Sequence, residues 1–391
     1  MRLRPFVVLL GLALAACQPA PAPPKPEAPP ARLGLQPVGF ETLPGWQADD
    51  QAAALPALRR SCAVFLKQAA DRPLGEGRFG RIGDWHGPCR TLATLPDGDA
   101  AAARRFFEAE FRPYLANANG DPEGLFTGYY EPELRGSRTP GPAYPVPLLR
   151  KPADLVTVDL GAFRETLKGQ RLSGRVDGGR LVPYEDRAAI AGGKLAGRAE
   201  PLLWVDDPID AFFLEIQGSG RVTLPDGGVA RVGVDGQNGH PYVAIGRELV
   251  ARGALTKEEV SLQTIRAWLK ANPAEAQAVM NKNPSYIFFR EVPGEGPLGA
   301  QGVPLTPGRS LAVDRGHVPY GLPLWLDAAH PTEPARLQRL MVAQDTGGAI
   351  RGPVRGDVFW GHGADAEARA GVMKSRGRYW VLVPRAAVPA G

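Results

Sequence analysis

Two aspartates near the C-terminus, Asp345 and Asp357, stand among glycines and apolar residues in the segment MVAQDTGGAIRGPVRGDVFWGHG (341–363). An ionised carboxylate is costly to bury, so a poorly solvated cleft raises its pKa and makes it a proton donor. Asp357 follows Gly356, which lets the backbone approach a ligand, and precedes three apolar residues that lower the local dielectric constant. The pattern predicts a carboxyl group that can act as a proton donor in catalysis.

Polar and aromatic side chains also accumulate in several other glycine-containing segments. Aromatic rings stack on the C–H faces of sugars, and hydroxyl and amide groups form hydrogen bonds with sugar hydroxyls. Turn formation or core packing explains any single one of these residues, and capping of backbone N–H groups is an alternative role for Asp314 and Asp345, so the prediction rests on the joint pattern. The candidate substrate contacts are Thr127, Tyr129, Tyr130, Gln217, Gly218, Ser219, Gly220, Tyr242 and Asp314.

Strands should position most of these residues. Residues 125–240 contain short apolar runs separated by glycine, proline and aspartate, which is typical of strands joined by tight turns. The run AFFLEIQGSGRVTL (211–224) is interpreted as part of this β-rich module, and strands return after residue 285. The sequence predicts a mainly β fold with some helices, in which one β module is inserted into a domain built from both ends of the chain.

Helices are predicted at four places. Apolar residues at helical spacing predict amphipathic helices over 49–70 and 99–115. A third helix should begin at Thr256, because Glu259 completes the spacing of a capping box. A fourth should begin at Pro273, a residue that suits the first turn of a helix.

The N-terminus has the pattern of a secretion signal. Residues 1–17, MRLRPFVVLLGLALAAC, contain two arginines, an apolar run too short for an ordinary membrane span, and small residues before Cys17. The ending LAAC resembles a bacterial lipobox, which predicts lipidation of Cys17, although a plain signal peptide is an alternative. Gln18 follows that cysteine, which favours the periplasmic face of the outer membrane. Residues 18–35 are predicted to form a Pro/Ala-rich linker.

Composition excludes other classes of protein. The chain has 391 residues, enough for two domains, and a net charge of +5 without a long Lys/Arg run, so nucleic-acid binding is not expected. The five histidines are scattered and form no HxxxH pair, so neither a metal site nor a cofactor is expected. Cys62 and Cys89 either form a disulfide, which the periplasm permits, or remain buried free thiols.

Six segments, in order from about residue 125 to residue 383, resemble the membrane-bound lytic murein transglycosylase A family. The last two resemble the 3D domain, which is named for three aspartates that correspond to Asp314, Asp345 and Asp357. The six segments are FTGYYEPEL, DPIDAFFLEIQGSGRV, NGHPYVAIGREL, NPSYIFFRE, SLAVDRGHVPYGLPLWLD and AQDTGGAIRGPVRGDVFWGHG.

The resemblance implies a division of the chain and a place for the substrate. A double-psi β-barrel catalytic domain would comprise residues 36–125 and 292–391, with the 3D motif at 310–383. Residues 126–291 would form an inserted second β domain. A peptidoglycan glycan strand would lie in the groove between the two domains, and we expect the protein to act as a monomer held at the outer membrane by its lipid.

The resemblance also implies a reaction. The family cleaves the β-1,4 bond between N-acetylmuramic acid and N-acetylglucosamine without water and leaves a 1,6-anhydromuramic product. By motif, Asp357 would act first as acid and then as base, and Asp345 would orient or tune it. Three alternatives remain: a glycoside hydrolase that pairs Asp357 with Glu131, Glu215 or Asp345, an aspartic protease suggested by DTG at 345–347, and a wall-binding lipoprotein without activity.

Overall fold

The computed structural model of the chain describes residues 31–294 and 296–387. The strands of this part are β1 (Leu33–Pro37), β2 (Phe111–Ala118), β3 (Gly124–Glu131), β4 (Glu133–Ser137), β5 (Val146–Leu149), β6 (Val156–Asp159), β7 (Arg171–Asp177), β8 (Arg180–Pro183), β9 (Pro201–Val205), β10 (Ser219–Thr223), β11 (Val229–Gln237), β12 (Ile287–Glu291), β13 (Ser310–Val313), β14 (Pro323–Ala329), β15 (Arg336–Asp345), β16 (Arg355–His362) and β17 (Lys374–Pro384). The helices are α1 (Leu55–Phe65), α2 (Ile82–Ala93), α3 (Ala100–Glu110), α4 (Arg187–Ala191), α5 (Pro208–Gln217), α6 (Gly246–Ala251), α7 (Leu262–Ala271), α8 (Pro273–Met280) and α9 (Ala364–Val372).

The strands form three sheets. The largest has the order β1-β2-β17-β14-β15-β13-β16-β3, and β17 also pairs with β3, so six successive strands form a closed circuit of hydrogen-bonded neighbours. A second sheet has the order β12-β11-β10-β4-β9-β5, and the third contains β6, β7 and β8. The prediction of a mainly β fold with some helices is confirmed.

Each of the two larger sheets has its own hydrophobic core. The core of the eight-stranded sheet includes α1, α2 and α3, through side chains such as Phe65, Trp85 and Phe107. The six-stranded sheet buries a separate cluster that contains Leu203, Leu214 and Phe289. The chain therefore places two independently packed sheets on the two sides of the cavities described below.

Two predicted boundaries fall within strands of the eight-stranded sheet. The boundary between residues 125 and 126 falls inside β3, which pairs with β16 and β17 and so belongs to the eight-stranded sheet. The chain leaves that sheet only after Glu131. The end of the predicted linker 18–35 overlaps β1, because Leu33–Pro37 forms this strand and pairs with β2.

Two predicted helices end earlier in the structure. The helix predicted over 49–70 is regular only at Leu55–Phe65, and the helix predicted over 99–115 ends at Glu110. Phe111 begins β2, whose pairing with β17 outweighs the local helical pattern. Asp99 caps the N-terminus of α3 through its side chain, which accepts a hydrogen bond from the N–H of Ala102 at 2.8 Å.

The helix predicted at Thr256 begins later, whereas α8 begins at Pro273 as predicted. Thr256 and Glu259 do exchange hydrogen bonds, at 2.9 and 3.3 Å, but they close a turn. Ser261 is the N-cap of α7, and its side chain accepts a hydrogen bond from the N–H of Thr264 at 3.1 Å.

The largest error of the sequence prediction concerns α5. The run from Ala211 to Gln217 was assigned to a strand, but it is a helix that begins after the N-cap Asp207. Both faces of this helix are largely buried, so its sequence lacks the polar face that marks an amphipathic helix, and a short apolar run does not distinguish a buried helix from a strand. Gly218 ends the helix in the left-handed conformation, with a φ of 79°.

Cys62 of α1 and Cys89 of α2 form a disulfide, which decides between the two alternatives for these thiols. In the described part of the chain, every helix is too short or too polar to cross a membrane. The predicted signal peptide, the lipidation site Cys17 and most of the linker lie outside the described residues.

Candidate active site

The two candidate aspartates lie in one row across adjacent strands of the eight-stranded sheet. Asp357 of β16 pairs with Thr127 of β3 on one side and with Ala312 of β13 on the other. Ala312 also pairs with Asp345 of β15, because the register shifts next to Leu311 and skips one residue of β15. With neighbouring strands about 4.8 Å apart, the Cα atoms of the two aspartates are separated by roughly 10 Å.

Asp357 is half-buried and forms one side-chain hydrogen bond. The hydroxyl of Thr127 donates to Asp357 Oδ1 at 2.7 Å, and a guanidinium N–H of Arg355 donates to the Thr127 oxygen at 2.9 Å. Burial raises the pKa of Asp357 to about 6, although the Thr127 hydroxyl and the Arg355 charge oppose this shift, and the charge of Asp345 adds to it. Such a carboxyl group is half protonated at a pH of about 6 and remains protonated in about a tenth of the molecules at pH 7.

Asp345 has a more strongly hydrogen-bonded environment. Its carboxylate accepts hydrogen bonds from the Tyr129 hydroxyl and from the backbone N–H groups of Ala300 and Thr346, each at 2.8 Å. Burial raises the pKa of Asp345, and these three donors oppose the shift. Asp345 therefore holds three segments together around the site, whereas Asp357 keeps one carboxyl oxygen without a hydrogen-bond partner among the described residues.

Asp357 faces a cavity of about 340 Å³ between the two larger sheets, hereafter the central cavity. From the eight-stranded sheet it is lined by Asp357, Gly128, Tyr129 and the loop Gly347–Ile350. The opposite wall comes from the second sheet and its helices. That wall contains Arg187, Glu215, Ile216, Gln217, Gln237, Tyr242, Asn283, Ser285 and Ile287.

A buried ion pair dominates the opposite wall of the central cavity. The Arg187 guanidinium donates two hydrogen bonds to the two carboxylate oxygens of Glu215, at 2.9 and 2.8 Å. Glu215 also accepts a hydrogen bond from the N–H of Ile287 at 2.9 Å, and Arg187 donates to the carbonyl oxygens of Asn283 and Ser285. Burial raises the pKa of Glu215, and the Arg187 charge opposes that shift. The two parallel hydrogen bonds from the guanidinium are the geometry in which an arginine stabilises an ionised carboxylate.

A second cavity, of about 430 Å³, borders the central cavity at Gln217 and is lined on one side by Asp345. Gln217 lines both cavities, and its side-chain oxygen accepts a hydrogen bond from the N–H of Tyr130 at 3.2 Å. Gly218 and Ser219 line the second cavity together with Glu131. Five of the predicted contacts are thus at cavity walls: Tyr129, Gln217, Gly218, Ser219 and Tyr242. Thr127 reaches the site through its hydrogen bond to Asp357.

Tyr130 was predicted wrongly as a substrate contact. Consecutive residues of a strand point to opposite faces, so Tyr129 faces the central cavity and Tyr130 lies in the core of the eight-stranded sheet, only 2% exposed. Gly220, another predicted contact, lines none of the cavities beside the active site. A Cβ atom there would lie 2.3 Å from Leu214 Cδ1, so this glycine allows β10 to pack against α5.

Asp314 and Tyr242 have different outcomes. The Asp314 carboxylate accepts hydrogen bonds from the N–H groups of Gly316 and Gly352, at 3.0 and 2.8 Å, which fastens the loop that precedes β16. These contacts agree with the alternative role of Asp314, which is to cap backbone N–H groups. Tyr242 is 41% exposed and lies at the wall of the central cavity, where a ligand can reach its ring.

Sequence analysis missed Arg355 and Arg187. Arg355 stands two residues before Asp357, and alternation along the strand could have placed it on the same face. Arg187 lies far from Glu215 in sequence, so only the packing of α4 against α5 and the segment before β12 reveals their pairing.

Comparison with known proteins follows the two-part organisation of the chain. Residues 125–290 match the family described as the MltA specific insert domain, and residues 309–383 match the 3D domain. Membrane-bound lytic murein transglycosylase A of Escherichia coli is 33% identical over 264 residues. That alignment covers 66% of this chain and 65% of the length of the relative.

Solved structures cover more of the chain. A membrane-bound lytic murein transglycosylase from Agrobacterium tumefaciens is 35% identical, with a TM-score of 0.80, over 90% of this chain and 98% of that chain. The Escherichia coli protein MltA with bound chitohexaose is 27% identical, with a TM-score of 0.64, over 90% of this chain and 94% of that chain.

Proposed function

The chain belongs to the membrane-bound lytic murein transglycosylase A family, and we propose that it cleaves the β-1,4 bond between N-acetylmuramic acid and N-acetylglucosamine in peptidoglycan without water. The setting of Asp357 carries this proposal, because a carboxyl group with a pKa of about 6 faces a cavity between two sheets. The Escherichia coli relative with bound chitohexaose supports a glycan as the ligand of this groove.

Asp357 acts first as a general acid. The Thr127 hydroxyl has one hydrogen, which it donates to Asp357 Oδ1, while its oxygen accepts a hydrogen bond from Arg355. Oδ1 is therefore an acceptor, and the acidic proton resides on Oδ2. From Oδ2 the proton passes to the leaving O4 oxygen as the bond from C1 to O4 breaks and C1 becomes oxocarbenium-like.

Asp357 then acts as a base. The C6 hydroxyl of the muramic sugar attacks C1, and the ionised carboxylate takes the proton of that hydroxyl. One bond, C1–O4, is broken and one bond, C1–O6, is formed, so the product is a 1,6-anhydromuramic sugar and Asp357 regains its proton. The Thr127 hydroxyl and the nearby Arg355 charge stabilise the ionised carboxylate between the two steps.

Asp345 serves as a positioning residue in this mechanism. Its three hydrogen bonds fix the Tyr129 side chain and the backbone at Ala300 and Thr346 beside the cavity. Its negative charge also contributes to the raised pKa of Asp357. Asp345 thus favours the protonated form of the acid without having to exchange a proton itself.

The contacts of two of the three other candidate carboxylates, Glu215 and Asp345, favour this mechanism over a hydrolytic one. A hydrolase needs a second carboxylate that attacks C1 or activates water. Both oxygens of Glu215 accept hydrogen bonds from Arg187, and Asp345 accepts three hydrogen bonds. The sequence-based candidates Glu215 and Asp345 are therefore committed to contacts within the protein.

The finer features of the fold and the location are part of the same proposal. The closed circuit of six strands would be the double-psi barrel of the catalytic domain, and the sheet that contains β10 and β11 would belong to the inserted domain. Lipidation of Cys17 would hold this monomeric enzyme at the periplasmic face of the outer membrane, in agreement with relatives that are named membrane-bound.

Mass spectrometry of the muropeptides released from purified sacculi tests the proposed function. We expect anhydro-muropeptides from the wild-type protein and none from Asp357→Asn. Products one water heavier, with free reducing ends, would mean a hydrolase. No release by the folded wild-type protein would favour the wall-binding alternative.

A further inference from the structure

A third cavity adjoins the central cavity on the side away from Asp345. Its volume is about 550 Å³, and it shares Gly128, Ile216, Gln217 and Tyr242 with the central cavity. It lies between α5 and α7 on one side and the end of α9 on the other, and we call it the lateral cavity. The four shared residues border both cavities, so a ligand in the central cavity lies directly beside the lateral cavity.

The lateral cavity has an apolar interior. Phe213, Ile245, Leu262 and Ile265 contribute branched or aromatic side chains, and Ala244 leaves room between them. Such a lining favours small apolar groups, which gain free energy when they leave water. A bare sugar chain, with hydroxyl groups around each ring, uses little of this surface.

Three cations surround the lateral cavity. Arg247, Lys257 and Lys374 line it and are exposed to solvent. Among the described residues of its lining there is no aspartate or glutamate. The excess of positive charge attracts a ligand that carries carboxylate groups.

The position of Lys374 connects this charge to the active site. Lys374 of β17 pairs with Thr127 of β3, which pairs in turn with Asp357 of β16. Lys374 therefore lies in the same row as Asp357, two strands away, at a Cα separation of roughly 10 Å. A carboxylate bound to Lys374 would therefore lie close to the sugar at Asp357.

We propose that the lateral cavity binds the acidic peptide attached through the lactyl group to a muramic sugar near the cleaved bond. Peptides of this class combine alanine methyl groups with free carboxylates, which matches an apolar interior surrounded by three cations. The identity of the sugar rests on the proposed function. The consequence is a preference for peptide-bearing glycan over glycan without peptides and over neutral chitin oligomers.

The test is a binding measurement in the Asp357→Asn background, where turnover does not consume the ligand. Calorimetry would compare a soluble peptide-bearing glycan, the same glycan after an amidase has removed its peptides, and chitohexaose. We expect Arg247→Gln, Lys257→Met and Lys374→Met together to weaken binding of the peptide-bearing glycan roughly tenfold or more, because each exposed ion pair is worth a factor of about two to five. Binding of chitohexaose should change less than about twofold, since a neutral ligand forms no ion pair.

Two further variants separate charge from shape and from general effects. Lys67→Met removes an exposed lysine that lines none of the three cavities and should leave all three affinities unchanged. Ala244→Phe narrows the cavity without changing its charge and should weaken binding of the peptide-bearing glycan only. Thermal melting curves of every variant establish that the fold is retained.

Equal weakening for all three ligands, or no weakening for any of them, would overturn the proposal. The proposal would also be overturned if laurate, an anionic amphiphile, bound tightly and the peptide-bearing glycan did not displace it. Because binding is measured without turnover, peptide-dependent binding by a protein that releases no anhydro-muropeptides would contradict the proposed reaction and leave the assignment of the lateral cavity in place.

Discussion

The two walls of the central cavity each present a carboxyl group, half-buried in Asp357 and buried in Glu215, and the two groups have opposite surroundings. Asp357, on the eight-stranded sheet, accepts one side-chain hydrogen bond from a neutral hydroxyl, and its pKa is raised to about 6. Glu215, on the facing wall, accepts two hydrogen bonds from Arg187 and one from the N–H of Ile287. The first arrangement leaves an oxygen for proton transfer, and the second leaves neither oxygen available.

The difference shows that one carboxyl group of the cavity is suited to proton transfer and the other to stabilising the fold. A carboxyl group becomes a useful acid where burial is not fully compensated by donors, and that lack of compensation lowers the stability of the fold. A bidentate arginine compensates for burial and removes the group from the chemistry. Substitutions at Asp357 and at the Arg187–Glu215 pair should therefore have opposite effects on activity and stability.

Loss of activity in Asp357→Asn is the largest effect that we expect. An amide cannot donate and recover the proton, so turnover should fall by about 10²-fold or more. The rate at which anhydro-muropeptides are released from sacculi measures this turnover. Glu215→Gln is the matched variant, and at a temperature where it stays folded it should retain activity within about tenfold of the wild-type value. Near-wild-type turnover by folded Asp357→Asn would remove Asp357 from the mechanism.

Arg187→Met should cause the largest loss of stability. It leaves Glu215 buried without its partner, which typically costs about 3–5 kcal/mol. Urea denaturation measures the free energy of unfolding, and the double variant Arg187→Met/Glu215→Leu should recover much of the loss. Arg138→Met, which removes an exposed pair with Glu291, should cost less than about 1 kcal/mol. Similar losses of unfolding free energy at both sites would show that the buried pair contributes no more to stability than the exposed pair.

Asp357→Asn should stabilise the protein at neutral pH. The folded-state pKa of about 6 lies above the ordinary 3.8, so the native state binds the proton more tightly and loses stability as the pH rises from about 4 to 6. Removing the ionisable group should raise the free energy of unfolding by about 3 kcal/mol at pH 7.5 and by little at pH 4. Urea denaturation at both pH values measures this gain, and the same change at both would contradict the linkage.

Tyr129→Phe should have a smaller effect. It removes one of three donors to Asp345 and leaves the backbone N–H groups of Ala300 and Thr346 in place. We expect a loss of about 1.5 kcal/mol in unfolding free energy and a loss of activity of less than about tenfold. Thermal melting and release of anhydro-muropeptides measure the two quantities. A loss of activity as large as that of Asp357→Asn would give Tyr129 a direct part in the reaction.

Sequence reasoning reached the region of Asp357 more easily than the facing wall. The glycine before Asp357 and the apolar residues after it are local signals of a poorly solvated acid. The run around Glu215 was interpreted as a strand, because a buried helix of ten residues has no polar face to reveal its period. The pairing of Arg187 with Glu215 depends on tertiary packing, which no local pattern encodes.

Finer errors have similar causes. Tyr129 and Tyr130 look equivalent in the sequence, and only the orientation of β3 decides which of them faces the cavity. The register shift next to Leu311 that brings Asp345 into the row of Asp357 is likewise a property of strand pairing. The sequence indicated which residue types form the site, and the sheet determines which of them meet.

The pH dependence of kcat/KM for anhydro-muropeptide release, in the wild-type protein and in Thr127→Val, tests the central claim most directly. Activity should fall above a pH of about 6, where Asp357 of the free enzyme loses its proton. Thr127→Val removes the hydroxyl that favours the ionised form, so its pKa should rise and the alkaline limb should move to higher pH. A profile that is flat to pH 8, or a limb that stays in place in Thr127→Val, would contradict Asp357 as the acid.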